Sequence, residues 1–173
     1  MDDIEFNDRR MVKLIIPGKP IPQARMRIWS KNGITRTYDP CHAEKNSAKY
    51  VLLQYENKEY FKHPRISFIF YMPIPRSIAK KDEKLYNSGR LKHEKTPDVD
   101  NLIKLYLDCL DKIFLDGDQN VSLGPSIKLY SPQPKTVIWI YETTNVVARN
   151  ELDFAFLPMP DKAELQNEEL QKA

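Results

Sequence analysis

From Met11 to Ile16 the chain is rich in Val, Leu and Ile and stops at Pro17-Gly18, the pattern of a first strand. Pro17 to Pro40 carries four prolines and two glycines and reads as loop or ribbon, with a short strand over Ile34–Tyr38 after the Asn32-Gly33 turn. Ala48, Val51, Leu52 and Tyr55 recur at helical spacing, which predicts a helix from His42 to Phe61. Arg65–Met72 alternates aromatics with isoleucine and predicts a strand. A basic connector runs from Ile74 to Thr96, with a short helix around Ile78–Tyr86. The clearest helix starts beyond Pro97, where Leu102, Ile103, Tyr106, Leu110 and Ile113 form one apolar stripe. Thr96-Pro97-Asp98 supplies its capping and first-turn chemistry. The chain turns at Phe114–Gln119. Val121–Tyr130 and Thr136–Tyr141 then read as two more strands around Ser131-Pro132-Gln133-Pro134. Ala163–Lys172 reads as a packed helix or a frayed tail. Strands and helices interleave, so the fold class expected is α+β, a single compact domain whose mixed, partly antiparallel sheet has helices packed on it.

Composition adds little to this until it is read by position. The 173 residues are 41% hydrophobic and 29% charged, a globular balance with room for a core. No stretch approaches the roughly 20 apolar residues of a membrane span. The acidic start Met-Asp-Asp-Ile-Glu-Phe has no basic region of the kind a signal peptide needs. Two cysteines, Cys41 and Cys109, make neither a disulfide framework nor a zinc module. A cytoplasmic protein with no membrane association is therefore expected. The net charge is only +3, yet residues 1–97 carry 20 Lys+Arg against 11 Asp+Glu, while residues 98–173 carry 7 against 13. A basic body between acidic ends suits a polyanionic partner, although a solvated surface is the plainer explanation.

The carboxylates that lower the net charge concentrate between residues 98 and 118. Asp98 and Asp100 stand two apart at a helix start, and Asp116 and Asp118 stand two apart in the turn that follows it. A hard cation such as Mg²⁺ takes oxygen ligands, usually a few carboxylates, and keeps waters that a phosphate can replace. Asp100 and Lys104 share a helical face at i,i+4. Lys104 there suits a scissile phosphate or a leaving oxygen. The same residues also fit bland roles: Asp98 as a cap, Asp100 at the positive end of the helix dipole, and Asp116-Gly117-Asp118 as a turn. The two pairs meet only if a tertiary contact brings them together.

The string His93-Glu94-Lys95-Thr96-Pro97-Asp98-Val99-Asp100-Asn101-Leu102-Ile103-Lys104, then Asp108, then Asp118-Gln119-Asn120-Val121, resembles the RusA family. Ile16-Pro17-Gly18-Lys19-Pro20-Ile21-Pro22, with Arg25 and Arg27 after it, is similar to the opening strand and basic segment of that family. The likeness spans about residues 11–141. It implies a homodimeric, Mg²⁺-dependent resolvase of Holliday junctions, of bacterial or phage origin, working at the nucleoid in recombination and repair. It implies catalytic roles for Asp98, Asp100, Asp118 and Lys104, with the three aspartates of each subunit holding the metal. The implied organisation is an extension over 1–10, a nuclease domain over 11–150 and an acidic tail over 151–173. The family usually has adjacent Asp-Asp before x-Gln, whereas this chain has Asp116-Gly117-Asp118-Gln119-Asn120-Val121. Aligning Val121 keeps Asp118 as the catalytic acid, with Asp116 in reserve. Aligning Gln119 puts Gly117 there, and the chain becomes a degenerate nucleic-acid-binding relative.

Lys19, Arg25, Arg27, Lys31 and Arg36 interleave with Trp29 and Tyr38. The cations suit DNA phosphates, and the aromatics suit either an exposed base at a branch point or a half-buried sheet position. Lys95 and Asn101, beside the acidic motif, complete the expected DNA contacts with Lys19, Arg25 and Arg27. His93 is held in reserve near the site, and Cys109 is expected in the core. A glycosyltransferase reading of Asp-x-Asp is disfavoured by the short chain and the lack of a nucleotide-binding glycine pattern. The reading favoured is a structure-selective endodeoxyribonuclease acting on four-way DNA, with Mn²⁺ able to replace Mg²⁺.

Overall fold

The computed structural model describes residues 10–55 and 59–143. The expected acidic tail and its Ala163–Lys172 helix lie outside the described residues. Strands β1 (Met11–Pro17), β4 (Pro64–Pro73), β5 (Ser122–Ser131) and β6 (Lys135–Glu142) form one sheet in the order β1-β6-β4-β5. β6 runs antiparallel to both β1 and β4, and β5 runs parallel to β4. The expected α+β domain with a mixed sheet is what the chain forms.

Period-two alternation explains the inner face of this sheet. Leu14, Ile138 and Phe68 stand in one row across β1, β6 and β4, and Val12, Ile140 and Ile66 stand in the next. Helices α1 (His42–Leu52) and α3 (Val99–Leu110) share the core with these rows through Ala48, Leu52, Leu102, Leu105, Tyr106, Cys109 and Leu110. Full burial of one such leucine is worth about 1.5–3 kcal/mol, so the apolar stripe of α3 fixes which face that helix turns to solvent. The face left outside carries Asp100, Lys104 and Asp108, all exposed.

Two helices are shorter than the periodicity predicts. α1 stops at Leu52 instead of reaching Phe61; Tyr55 leaves the helix and its hydroxyl exchanges hydrogen bonds with the backbone of Ile15. Phe61 belongs to the core by another route, since its N–H donates to the Phe114 carbonyl. α3 stops at Leu110 because Asp111 leaves helical geometry and Lys112 takes a φ of 60°. That reversal sends Phe114 and Leu115 back into the core, so Ile113 is not part of the helix.

The β4–β5 crossover covers the open side of β5. Tyr130 N–H donates to the Leu91 carbonyl and His93 N–H to that of Lys128, which pairs the connector to the strand edge. Earlier in the crossover, a 3₁₀ turn at Lys80–Asp82 leads into the short helix α2 (Glu83–Asn87). The sequence favoured a short helix at this place. At the start of β5 the register slips, so that Gly124 and Pro125 lie opposite Ser67 alone. Only glycine fits there, since a Cβ on residue 124 would sit 2.2 Å from the Ser67 hydroxyl.

Strands β2 (Arg27–Lys31) and β3 (Ile34–Tyr38) form a separate two-stranded ribbon. Its turn, Asn32-Gly33, has positive φ at both residues, as a tight hairpin with right-handed twist requires. β2 falls within the stretch that reads as loop or ribbon in the sequence.

Candidate functional site

Asp98 is the N-cap residue of α3, with extended backbone angles, yet its side chain makes no capping hydrogen bond. The carboxylate sits at the positive end of the helix dipole and stays open to solvent. Asp100 follows in the first turn, and Lys104 Nζ lies 3.2 Å from its Oδ2. That hydrogen bond from Lys104 is the main reason the Asp100 carboxyl titrates below its ordinary range. Both side chains remain nearly two-thirds exposed, so the pair is open to a phosphate or a cation. Asn101 sits in the same turn, and its carbonyl accepts a hydrogen bond from the N–H of Gln23 at 2.8 Å.

Asp118 stands at the other end of this helix. The N–H of Gly117 donates to Asp111 Oδ1 at 3.0 Å, which ties the turn to the C-terminus of α3. Asp98 and Asp100 thus stand at the start of a 12-residue helix, about 18 Å long, and the turn with Asp116 and Asp118 is tied to its end. Among the described residues no group of three or more His, Cys, Asp or Glu side chains is placed to hold a metal ion. The structure therefore brings Asp98 and Asp100 to one helix start and leaves Asp118 apart from them within the chain. Asp116 is engaged elsewhere, in an exposed i,i+4 ion pair with Lys112. This bond holds the Lys112 ammonium above its ordinary pKa.

His93 packs against Tyr130, with ring centroids 4.6 Å apart. Burial pulls its pKa down, and the nearby charge of Lys128 adds to the effect. Its Nδ1 is buried and has no hydrogen-bond partner among the described residues. His93 lines a shallow groove of about 400 Å³ with Lys92, Glu94, Val99, Pro125, Ser126, Ile127 and Lys128. Lys128 crosses beneath the approach to α3, where its Nζ donates to the carbonyls of Lys95 at 2.7 Å and Pro97 at 2.6 Å. It thus fastens the backbone immediately ahead of Asp98. The sequence offered no hint of this role, because Lys128 reads there only as one basic residue in a strand.

The basic segment stands beside the acidic face. Lys19, Arg25, Arg27, Lys31, Arg36 and Lys95 are exposed, and Trp29 and Tyr38 lie in the ribbon and not at half-buried positions of the main sheet. At the base of the ribbon, Lys45 Nζ lies 2.7 Å from both Asp39 and Asp108. Burial alone lowers the pKa of an ammonium, but the hydrogen bonds from Lys45 to Asp108 and Asp39 outweigh it and hold Lys45 above its ordinary value. Asp39, bonded to Lys45 and to the Cys41 N–H, is held below its own. Asp108, part of the acidic motif by sequence, is thus engaged in an ion pair that joins α1, α3 and the end of β3. Cys41 and Cys109 are free and buried, and burial pushes the Cys109 thiol up to about 11.

The start of α3 thus presents an exposed carboxylate pair with a lysine on the same face, and exposed cations stand in the ribbon whose entry is bonded to this helix. The family described as Endodeoxyribonuclease RusA matches residues 17–141. The chain belongs to that family of endodeoxyribonucleases. It is also similar to the uncharacterized protein YqaN of Bacillus subtilis (strain 168), with 30% identity over 139 residues covering 77% of this chain and 97% of that protein. No helix among the described residues is long and apolar enough to cross a membrane.

Proposed function

We propose that the protein resolves four-way DNA junctions in recombination and repair, as a homodimer that hydrolyses phosphodiester bonds with Mg²⁺. The observation that carries this reading is the open pair Asp98 and Asp100 at the start of α3, inside the stretch matched to the family. Mg²⁺ is commonly held by one or two carboxylates together with substrate phosphates, so this pair suits it as the first of its oxygen ligands. When bound, the cation supplies an activated water and neutralises charge on the phosphoryl group. Asp98 and Asp100 supply oxygen ligands. Lys104 favours the ionised form of Asp100 and presents a positive charge to the cleaved phosphate. The N-terminus of α3 adds its dipole to the same anion. Lys19, Arg25, Arg27, Lys95 and Asn101 hold the flanking DNA.

Asp118 is the third acid in this proposal and enters from the partner subunit. Support comes from the turn that carries it, which is tied to the C-terminal end of α3 and not to the start where Asp98 stands. In the dimer proposed, the end of α3 in one subunit meets the start of α3 in the other, twice, which gives the two sites that paired nicking needs.

The test is a synthetic four-way junction with Mg²⁺, read for paired symmetric nicks. Asp98→Asn and Asp118→Asn should each lower nicking at least ~100-fold, the scale of losing one electrostatic stabiliser, while junction binding persists. Asp116→Asn should change little. Mixing the two inactive variants should restore one intact site per mixed dimer and hence single nicks. No restoration would place Asp118 in its own subunit's site, and junction binding by the wild type without any nicks would make the protein a DNA-binding relative without catalysis.

A further inference from the structure

In the β2–β3 ribbon, Arg27 pairs with Tyr38, Trp29 with Arg36 and Lys31 with Ile34, while Ile28 pairs with Thr37 and Ser30 with Thr35. Directly paired residues project from the same face of a ribbon, and successive residues from opposite faces. One face therefore carries Arg27, Trp29, Lys31, Arg36 and Tyr38, with Ile34 beside the turn. The other carries Ile28, Ser30, Thr35 and Thr37, with no charge at all. All ten strand residues are exposed, Trp29 at 48% and Tyr38 at 47%. A two-stranded ribbon with no core of its own is marginal in water. This one is held at its ends. On the entry side Gln23 bonds the Asn101 carbonyl, and on the exit side Asp39 bonds Lys45, which also bonds Asp108. Both anchors lie on α3, the helix that carries Asp98, Asp100 and Lys104.

We propose that the charged and aromatic face of this ribbon reads the branch point of DNA, with its cations on phosphates and with Trp29 and Tyr38 stacked on bases that have left the helical stack. The proposal rests on the four-way-junction reading and assigns to one surface the discrimination of junction from duplex. In duplex DNA the faces of the bases are covered by their neighbours, so aromatic rings gain little there. Arginine and lysine gain on any DNA, because phosphates are everywhere along it. The two kinds of side chain on this face thus separate selectivity from affinity. Spacing supports the stacking role. Trp29 and Tyr38 are diagonal neighbours across the ribbon, about 7–8 Å apart.

The test uses the full chain, without divalent cations so that cleavage does not intervene. Affinity is measured for a four-way junction and for a linear duplex of the same sequence, and 2-aminopurine placed at the branch reports stacking. Wild type should prefer the junction and quench the branch fluorophore. Trp29→Ala and Tyr38→Ala should each weaken junction binding about fivefold to a hundredfold, the scale of one stacked base, and leave duplex affinity within about twofold. Trp29→Phe should recover most of the loss, which separates stacking from a folding defect. Arg27→Ala and Arg36→Ala should weaken both DNAs and reduce the salt slope, and Ile28→Ala on the uncharged face should change neither. Equal losses on junction and duplex for Trp29→Ala, or no loss on either, would overturn the branch-reading role while the junction reading stands. A wild-type chain that binds both DNAs equally would overturn the junction reading and this role together.

Discussion

Lys128 offers a test of how the fold prepares Asp98. Replacing it by Met keeps the apolar stem and removes an ammonium that donates to the carbonyls of Lys95 and Pro97. A hydrogen bond from a charged group contributes about 1.5–3 kcal/mol when its partner would otherwise go unsatisfied. Both carbonyls lie near the surface, where water replaces part of the loss. The net cost of Lys128→Met should therefore be about 1–2 kcal/mol for the two bonds together. In a domain of this size that lowers Tm by about 3–8 °C. The freed segment leads directly into Asp98, so the cost falls on the conformation that presents this carboxylate. A barrier raised by the same 1–2 kcal/mol slows nicking about 5- to 30-fold. Saturation kinetics on a four-way junction should show the loss in kcat, with KM nearly unchanged. A second readout isolates the charge: Lys128 helps to depress the His93 pKa, so the variant should show the imidazole titrating higher by NMR. A variant with wild-type Tm and wild-type kcat would refute the positioning role.

Acid should weaken the fold through the same histidine. Its folded pKa lies below the ordinary 6.5, so the folded state favours the neutral ring, and stability present above pH 6.5 is lost as pH falls through the folded value. Urea midpoints measured down to pH 5 should show that loss in wild type and a flatter profile in His93→Phe; identical profiles would remove His93 as its source. Gly124→Ala should destabilise by about 1–3 kcal/mol, as overpacking does, because the new Cβ meets the Ser67 hydroxyl. Ser67→Ala added to it should recover part of that loss in a denaturation cycle, and strict additivity would show that the two positions do not clash. Phe68→Ala, which empties a fully buried position, should cost about 3–5 kcal/mol by urea unfolding; a cost under ~1 kcal/mol would contradict its place in the core.

Period and turn chemistry made much of the fold legible before any coordinates. The β1 run, the aromatic alternation of β4 and the stripe on α3 each encode one buried face, and Asn32-Gly33 encodes its hairpin by backbone geometry alone. What stayed hidden depended on contacts between distant residues. The end of α1 is set by Tyr55 reaching β1, a partner 40 residues away. The loss of Asp108 to Lys45 spans 63 residues and leaves no trace in local pattern. In the candidate site, the contact of Asp100 with Lys104 was legible because one helical turn separates them, and Asp98 stands at the same helix start. The relation of Asp118 to that pair was not, since it hangs on how Asp111 and Lys112 end the helix. Even the ribbon's division into a charged and a neutral face required its register, which spacing did not provide.

The connector laid along β5 has a consequence for solubility. An uncovered edge strand is a template on which other chains add, and native sheets protect such edges by covering, charging or bending them. Here Leu91 and His93 cover the edge as backbone partners of Tyr130 and Lys128. A few residues later the same segment delivers Asp98 to the start of α3. Covering the sheet edge and setting the start of α3 therefore fall to one stretch of chain. Variants that loosen it should be lost from cells as insoluble protein before they are seen as weak enzymes.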